Sequence, residues 1–359
     1  MAENKTYDEK LKKLIFSLCA TPSISGFESR SHEYIKNEFS AYFDEIVTDG
    51  VGNCTLIKRC GKPDAPRALI DAHMDEIGMI ITDICEGGFV KIAPLGGLDV
   101  SIMQAADVII YGKKTLRGVI GSTPPHLKKS DKLPESHKLL VDTGLERSEL
   151  EDICPIGTPV GFAPVYGELL GGKICGKSFD DKACAACAIY AVANTPRTDL
   201  TADVYVLLSA MEETSRRGGV IAAAFAAEPD YAMIIDVNLA RVPDTKDHET
   251  VPMHKGISLS ASAGTHRILT ELTASLCEEN DIPHCIVAAP SSTGTNAVSV
   301  NLVGLGIPTV DVGLPLACMH TYNEMISLED CESLCKLVSV FVTSEDLAKQ
   351  MKQEEGYLL

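Results

Sequence analysis

Three short apolar runs and one further strand-like stretch, separated by helical stretches and each followed by an acidic or histidine residue, constrain this chain most. Ala68-Leu69-Ile70 runs into Asp71-Ala72-His73-Met74-Asp75-Glu76, and Val204–Ser209 into Ala210-Met211-Glu212-Glu213. Met233-Ile234-Ile235 runs into Asp236, and Ile307–Val312 precedes His320. A strand that is apolar throughout must be covered on both faces, which is the condition of a mostly parallel sheet flanked by helices. The helices are legible between the runs. Tyr7, Leu11, Leu14, Ile15 and Leu18 share one helical face, and Ile35, Phe39 and Phe43 another. Further helices are expected at Asp180–Asn194, Gly218–Ala227, His266–Asn280 and Thr295–Val303. The last opens at Ser327, where Ser327 and Asp330 make a capping-box-like start.

From about Glu76 to Lys177 the texture changes. Gly and Pro are dense, as in Pro94-Leu95-Gly96-Gly97, Gly121-Ser122-Thr123-Pro124-Pro125 and Gly157-Thr158-Pro159. Val108–Tyr111 and Val160–Pro164 are short and β-like, and no good long helix interrupts them. The expected fold class is α/β. Residues 1–75 and 178–359 form one discontinuous domain, and residues 76–177 an inserted small β-domain.

Charge narrows the functions open to such a fold. Asp and Glu number 50 against 32 Lys and Arg, a formal charge of −18. A nucleic-acid partner needs a basic face to displace counterions, and an anionic membrane surface needs the same, so neither is expected. The absence of Trp, with aromatics at 5%, disfavours a base-stacking platform or an aromatic glycan groove. Thirteen cysteines, an odd number spread along the chain, fit reduced thiols in a cytoplasmic protein. Lys10, Lys12 and Lys13 precede the apolar Leu14–Ala20, but Glu3, Asp8 and Glu9 spoil a basic leader, and a helix is the better reading. No apolar run approaches the roughly 18 residues of a membrane helix.

The residues that could carry chemistry stand where ligands gather in open α/β sheets, at the carboxyl ends of strands. In His73-x-Asp75 the imidazole can bind a metal while Asp75 accepts from its other ring nitrogen. Asp180-Asp181-Lys182 opens an Ala-rich helix. Glu212 and Glu213 close an apolar strand, where burying adjacent carboxylates is costly without a cation. His73, Asp180, Glu213, Asp236 and His320 together offer two imidazoles and three carboxylates. That set suits two borderline dications, Zn²⁺, Co²⁺ or Mn²⁺, with −3 from the acids against +4 from the ions. Glu212 is left over as a general base.

Seven stretches make this arrangement resemble the tetrahedral (TET) aminopeptidases, which are dinuclear metallopeptidases. They are Ala72–Gly78 (AHMDEIG), Gly121–Leu127 (GSTPPHL), Asp180–Lys182 (DDK), Glu212–Gly219 (EETSRRGG), Asp236 (IIDV), Gly294–Ala297 (GTNA) and Met319–Glu324 (MHTYNE). They occur in the family's order over nearly the whole chain. The resemblance implies one ion on His73 and Asp236 and the other on Glu213 and His320. Asp180 would bridge them, as the first acid of its pair and often before a cis peptide. Asp75 would orient His73, and Glu212 would be the base for a metal-bridging hydroxide. Around them Asp181, Lys182, Glu324, Asn296, Arg217 and His126 are candidates for support or substrate contact. The resemblance also implies a catalytic domain interrupted by a β-domain for subunit contacts, peptide substrates cut from the N-terminus, and a homo-oligomer ranging from dimer to tetrahedral dodecamer.

The chain departs from the family at Lys182, where Arg is usual, at Ser215, where Gly is usual, and at Asn296, where Asp is usual. Lys lacks the bidentate fork of Arg, and Asn296 removes a negative charge expected near the substrate pocket. Two other readings compete. A glycosidase would use paired carboxylates across a cleft, but neighbours on a strand point to opposite faces. An inactive assembly protein would not need the complete ligand set. Cys184-x-x-Cys187, Cys331 and Cys335 read as helix core residues.

Overall fold

The computed structural model describes residues 7–127, 132–215, 218–290 and 292–354. Continuous apolar runs do become the buried strands. An eight-stranded sheet has the order Glu45–Thr48, Cys54–Lys58, Asp203–Ser209, Arg67–His73, Tyr231–Leu239, Thr309–Leu316, Ile257–Ser262, His284–Ala289. The middle four run parallel to one another. The sheet as a whole is mixed, because Cys54–Lys58 pairs antiparallel with its neighbours on both sides and Ile257–Ser262 runs antiparallel to Thr309–Leu316.

Helices cover both faces. Glu9–Ala20, Phe179–Asn194 and Leu328–Thr343 bury Leu11, Ile15, Leu18, Ile189, Leu334 and Leu337 against one. Gly218–Ala227 and Ala297–Val300 pack Val220, Ala224, Ala297 and Val300 on the other. Six antiparallel strands between Gly78 and Phe162 close into a separate barrel. Its strands alternate, so that Met79, Ile81, Val90, Ile92, Val108, Ile110, Val141 and Val160 fill its own core.

Several expected elements differ, each for a local reason. The helix expected at Thr295–Val303 is only Ala297–Val300. The Thr295 hydroxyl accepts from the Ala297 N–H at the front, and Gly304 and Gly306, both at positive φ, turn the chain at the back. Ser327 and Asp330 form no capping box. Ser327 Oγ pairs with His254 Nδ1 at 2.9 Å, and Asp330 accepts from the N–H groups of His254 and Gly256. Asp236 sits inside Tyr231–Leu239 rather than closing it. Ile257–Ser262 joins the sheet although serines interrupt it, and His284–Ala289, apolar from Cys285 on, is the edge strand beside it and is only partly buried.

Candidate metal centre

Register brings the site together at the carboxyl edge of the parallel strands. His73 ends its strand opposite Ser209. Ile234 faces Asp71, which places Asp236, two residues on, level with His73. Asp180 enters from the start of Phe179–Asn194, where it and Asp181 have non-helical backbone angles and a cis peptide joins them. Its two carboxylate oxygens face two different imidazoles. Oδ1 lies 3.1 Å from His73 Nε2, and Oδ2 lies 3.3 Å from His320 Nε2. His320 Nε2 is also 3.4 Å from Glu213 Oε2, and His73 Nε2 is 4.0 Å from Asp236 Oδ1. Asp181 joins as well. Ligand atoms of His73, Asp181 and Asp236 form one compact group, and those of His73, Asp180 and Glu213 a second.

The supports of this cluster are main-chain bonds. Asp75, fully buried, accepts the Glu212 N–H at 3.0 Å through Oδ1 and the Glu213 N–H at 3.1 Å through Oδ2. His73 Nδ1 is 3.0 Å from the Asp75 main-chain oxygen and 3.5 Å from its carboxylate. The ring is therefore oriented first by the Asp75 backbone, and the Asp75 side chain holds the glutamate pair. Glu324 binds the N–H of His320 at 3.0 Å with one oxygen and that of Asp180 at 3.1 Å with the other. Glu28 accepts the Met211 N–H at 3.0 Å, where φ is +58° just before Glu212.

Glu212 and Glu213 do not end a strand. The strand stops at Ser209, and Glu212–Ser215 is one helical turn. The opposite-face argument against a glycosidase therefore does not apply to them. Two imidazoles within 3.5 Å of the shared carboxylates count against that reading instead.

The other candidates lie elsewhere. Lys182 is fully buried and gives its ammonium to Glu76 at 3.0 Å and to the Thr21 carbonyl at 2.8 Å. It is a structural cation, not a substrate contact. Asn296 is buried under the strands, with Nδ2 2.8 Å from Asp71 and 3.0 Å from Ser209 Oγ. Its missing charge belongs to this interior network rather than to a substrate pocket. His126 is exposed on the short Pro125–Leu127 turn. Arg217 lies outside the described residues. Cys184, Cys187 and Cys331 are buried on their helices, and all thirteen cysteines are free. The sequence reading missed Glu76, which also binds the Lys177 ammonium and the Ser178 hydroxyl. Lys177 and Lys182, on either side of the Asp180-Asp181 pair that opens an Ala-rich helix, were the available signal.

The electrostatics are those of carboxylates crowded without compensation. Burial, reinforced by like charge, pushes Asp181, Glu213, Asp236 and Glu324 well above the usual carboxyl range. Burial also opposes ionisation of Asp180, but hydrogen bonds from His320 and His73 outweigh it and hold that carboxyl low. Burial would lower His73, yet Asp180 and Asp75 raise it. Glu213 Oε1 and Asp181 Oδ1 are buried with no hydrogen-bond partner. Orphaned carboxylate oxygens beside two imidazole nitrogens are the donor set of a borderline dication, so the residues fit such ions.

Residues 52–337 match the family described as M42 glutamyl aminopeptidase. The chain belongs to the M42 aminopeptidases. It is accordingly a metal-dependent aminopeptidase, a hydrolase of peptide bonds. The lysyl aminopeptidase of Pyrococcus furiosus is 27% identical over 344 residues, covering 93% of this chain and 96% of its own. The TET aminopeptidase of a marine-sediment Thaumarchaeota archaeon superposes with a TM-score of 0.88 at 26% identity, over 96% of this chain and 99% of that one. The TET1 peptidase of Pyrococcus horikoshii, which can assemble into a tetrahedron or a large octahedral shell, gives 0.81 at 27% identity, over 93% and 99%. This M42 chain shares the mixed α/β architecture of the two TET structures over at least 93% of its length.

Proposed function

We propose that this M42 enzyme removes residues from the free N-terminus of short peptides with two divalent ions, Zn²⁺ or Co²⁺ in preference to Mn²⁺. His73 and Asp236 would hold one ion, Glu213 and His320 the other, and Asp180 would bridge them. The observation that carries this reading is Asp180, whose two oxygens face different imidazoles at 3.1 and 3.3 Å. Such a pair supplies an activated water and a polarised scissile carbonyl. Glu212, half-buried and held through its N–H by Asp75, would serve as the base that accepts a proton from the attacking water and returns it to the leaving amine. Asp181 keeps the His73 main chain in place, through a 3.1 Å bond from its N–H.

Strands of the barrel and its loops are the surface we assign to subunit contacts, giving a dimer able to build a hollow particle that admits unfolded peptides. Similarity over 93% of this chain to a peptidase that can assemble into a tetrahedron or a large octahedral shell supports this. Free thiols at every cysteine support a reducing, cytoplasmic setting. Among the described residues no helix is long and apolar enough to cross a membrane.

Metal analysis of dialysed, reconstituted protein tests the centre, and two equivalents per chain are expected. Hydrolysis of a short peptide is then compared with that of its N-acetylated form. One equivalent or none in folded protein refutes the dinuclear centre, and equal cleavage of the blocked peptide refutes N-terminal selectivity.

A further inference from the structure

Glu212 and Glu213 stand on a piece of structure that cannot hold itself. Glu212–Ser215 is one helical turn of 4 residues, entered through Met211 at φ +58°. So short a helix has no stability of its own in water and lies where its tertiary contacts put it. Asp75 takes the two N–H groups at its front, those of Glu212 and Glu213, at 3.0 and 3.1 Å. Two neighbouring bonds at one end locate that end but leave the turn able to pivot about it. A further hold comes from the N-terminal segment, where Thr214 Oγ1 and Ser25 Oγ share a hydrogen bond of 2.6 Å. The same segment reaches the residue just before the turn, since Glu28 Oε1 accepts the Met211 N–H at 3.0 Å and the Gly26 N–H at 2.8 Å.

Ser25 and Asp75 belong to one rigid unit. Ile24 and Glu76 form a parallel bridge. The Glu76 N–H donates to the Ser23 carbonyl at 3.0 Å, and the Ser25 N–H to the Glu76 carbonyl at 3.1 Å. The Ser23 hydroxyl adds a bond to the Met74 carbonyl at 2.7 Å. Ile24, buried, packs so closely on Gly78 that a Cβ there would come within 2.8 Å of it. The spacing between the Ser25 hydroxyl and the Asp75 carboxylate is therefore set by paired backbone, and the glutamate turn is held between two points of one frame. We infer that Ser25 and Thr214 are positioning residues for the hydrolysis: their hydroxyl pair stops the turn from pivoting about Asp75 and so fixes where the Glu212 carboxylate stands. This rests on the reading of Glu212 as the base, through which the pair acts.

The test uses the full-length enzyme and an aminoacyl-anilide at saturating zinc. Thr214→Val removes the hydroxyl at nearly constant volume from an exposed position. It should lower kcat by about 3–10-fold, the worth of one net hydrogen bond, with KM within about twofold and zinc content unchanged. Thr214→Ser keeps the hydroxyl and should hold kcat within about twofold of wild type. Ser25→Ala should match Thr214→Val, and the double variant should lose no more than either alone, because both remove the same bond. Wild-type kcat in Thr214→Val, a loss confined to KM, an equal loss in Thr214→Ser, or losses that multiply in the double variant would overturn the inference. The two Thr214 variants decide it even if Ser25→Ala does not fold. In a Glu212→Gln background Thr214→Val should add less than about twofold, since its effect passes through that carboxylate. An undiminished effect there would show that the pair acts on something else while the base reading stands, whereas full activity of Glu212→Gln alone would remove the base reading and, with it, the route by which the pair acts.

Discussion

Asp75→Asn separates two roles that one carboxylate could play. The Asp75 side chain is fully buried, and its two oxygens take the N–H groups of Glu212 and Glu213 at 3.0 and 3.1 Å. An asparagine keeps one acceptor and turns an NH₂ toward the other N–H. One buried main-chain donor then loses its partner, at a cost of about 1–3 kcal/mol. The glutamate turn can relieve this only by moving. A displacement of about 1 Å at a reacting group costs roughly 10²-fold in rate, equivalent to about 2.7 kcal/mol of barrier. His73 should be less affected, because its Nδ1 lies 3.0 Å from the Asp75 main-chain oxygen, which the substitution leaves in place. The assay is hydrolysis of an aminoacyl-anilide across a zinc series, with metal content and thermal unfolding measured on the same samples. We expect kcat/KM to stay about 10²-fold low at saturating zinc. Had Asp75 acted on His73 alone, weakened metal affinity would be offset by mass action. Recovery to within threefold of wild type in excess metal would therefore refute the reasoning.

Glu212→Gln should retain both ions and lose about 10²–10⁴-fold in kcat, the usual range for a general base, whereas Glu213→Gln should lose metal as well; identical metal content in the two would contradict that division. Lys182→Met removes one cation from the buried Glu76 and should lower the unfolding free energy by about 3–5 kcal/mol, the range for breaking a buried pair, read from urea midpoints; an unchanged midpoint would show that the pair is not structural. Glu76 also sets an acid limb. Burial works against its ionisation, but Lys177 and Lys182 outweigh burial and bring its carboxyl down to about 2 from an ordinary 4.5. A depressed folded-state value means stabilisation that is complete above the ordinary value and lost as pH falls from about 4.5 toward about 2. Glu76→Gln should therefore flatten the wild-type decline between pH 5 and 3, and a parallel decline in both proteins would remove Glu76 as its source.

The sequence by itself carried what is local. Solid apolar runs announce buried strands, so Val204–Ser209 falls within the strand Asp203–Ser209, and the 3.6-residue spacing of Leu11, Ile15 and Leu18 is the buried face of the first helix. The order of the acidic and histidine residues along the chain was enough to nominate His73, Asp180, Glu213, Asp236 and His320 together. What periodicity cannot report is which segments meet. Strand Arg67–His73 lies between Asp203–Ser209 and Tyr231–Leu239, and only that order and its register set His73 level with Asp236. The same holds for the lysine and asparagine that looked like pocket residues. Lys182 pairs with Glu76 across 106 positions, and Asn296 with Asp71 across 225. Each is polar in sequence and buried in the fold because its partner arrives from a distant segment. Asp75 shows the limit at shorter range. Its spacing from His73 suggested a partner for the ring, and its carboxylate does lie 3.5 Å from Nδ1, but only the fold brings the buried N–H groups of Glu212 and Glu213, which need an acceptor, to that same carboxylate and the Asp75 main-chain oxygen to the ring at 3.0 Å.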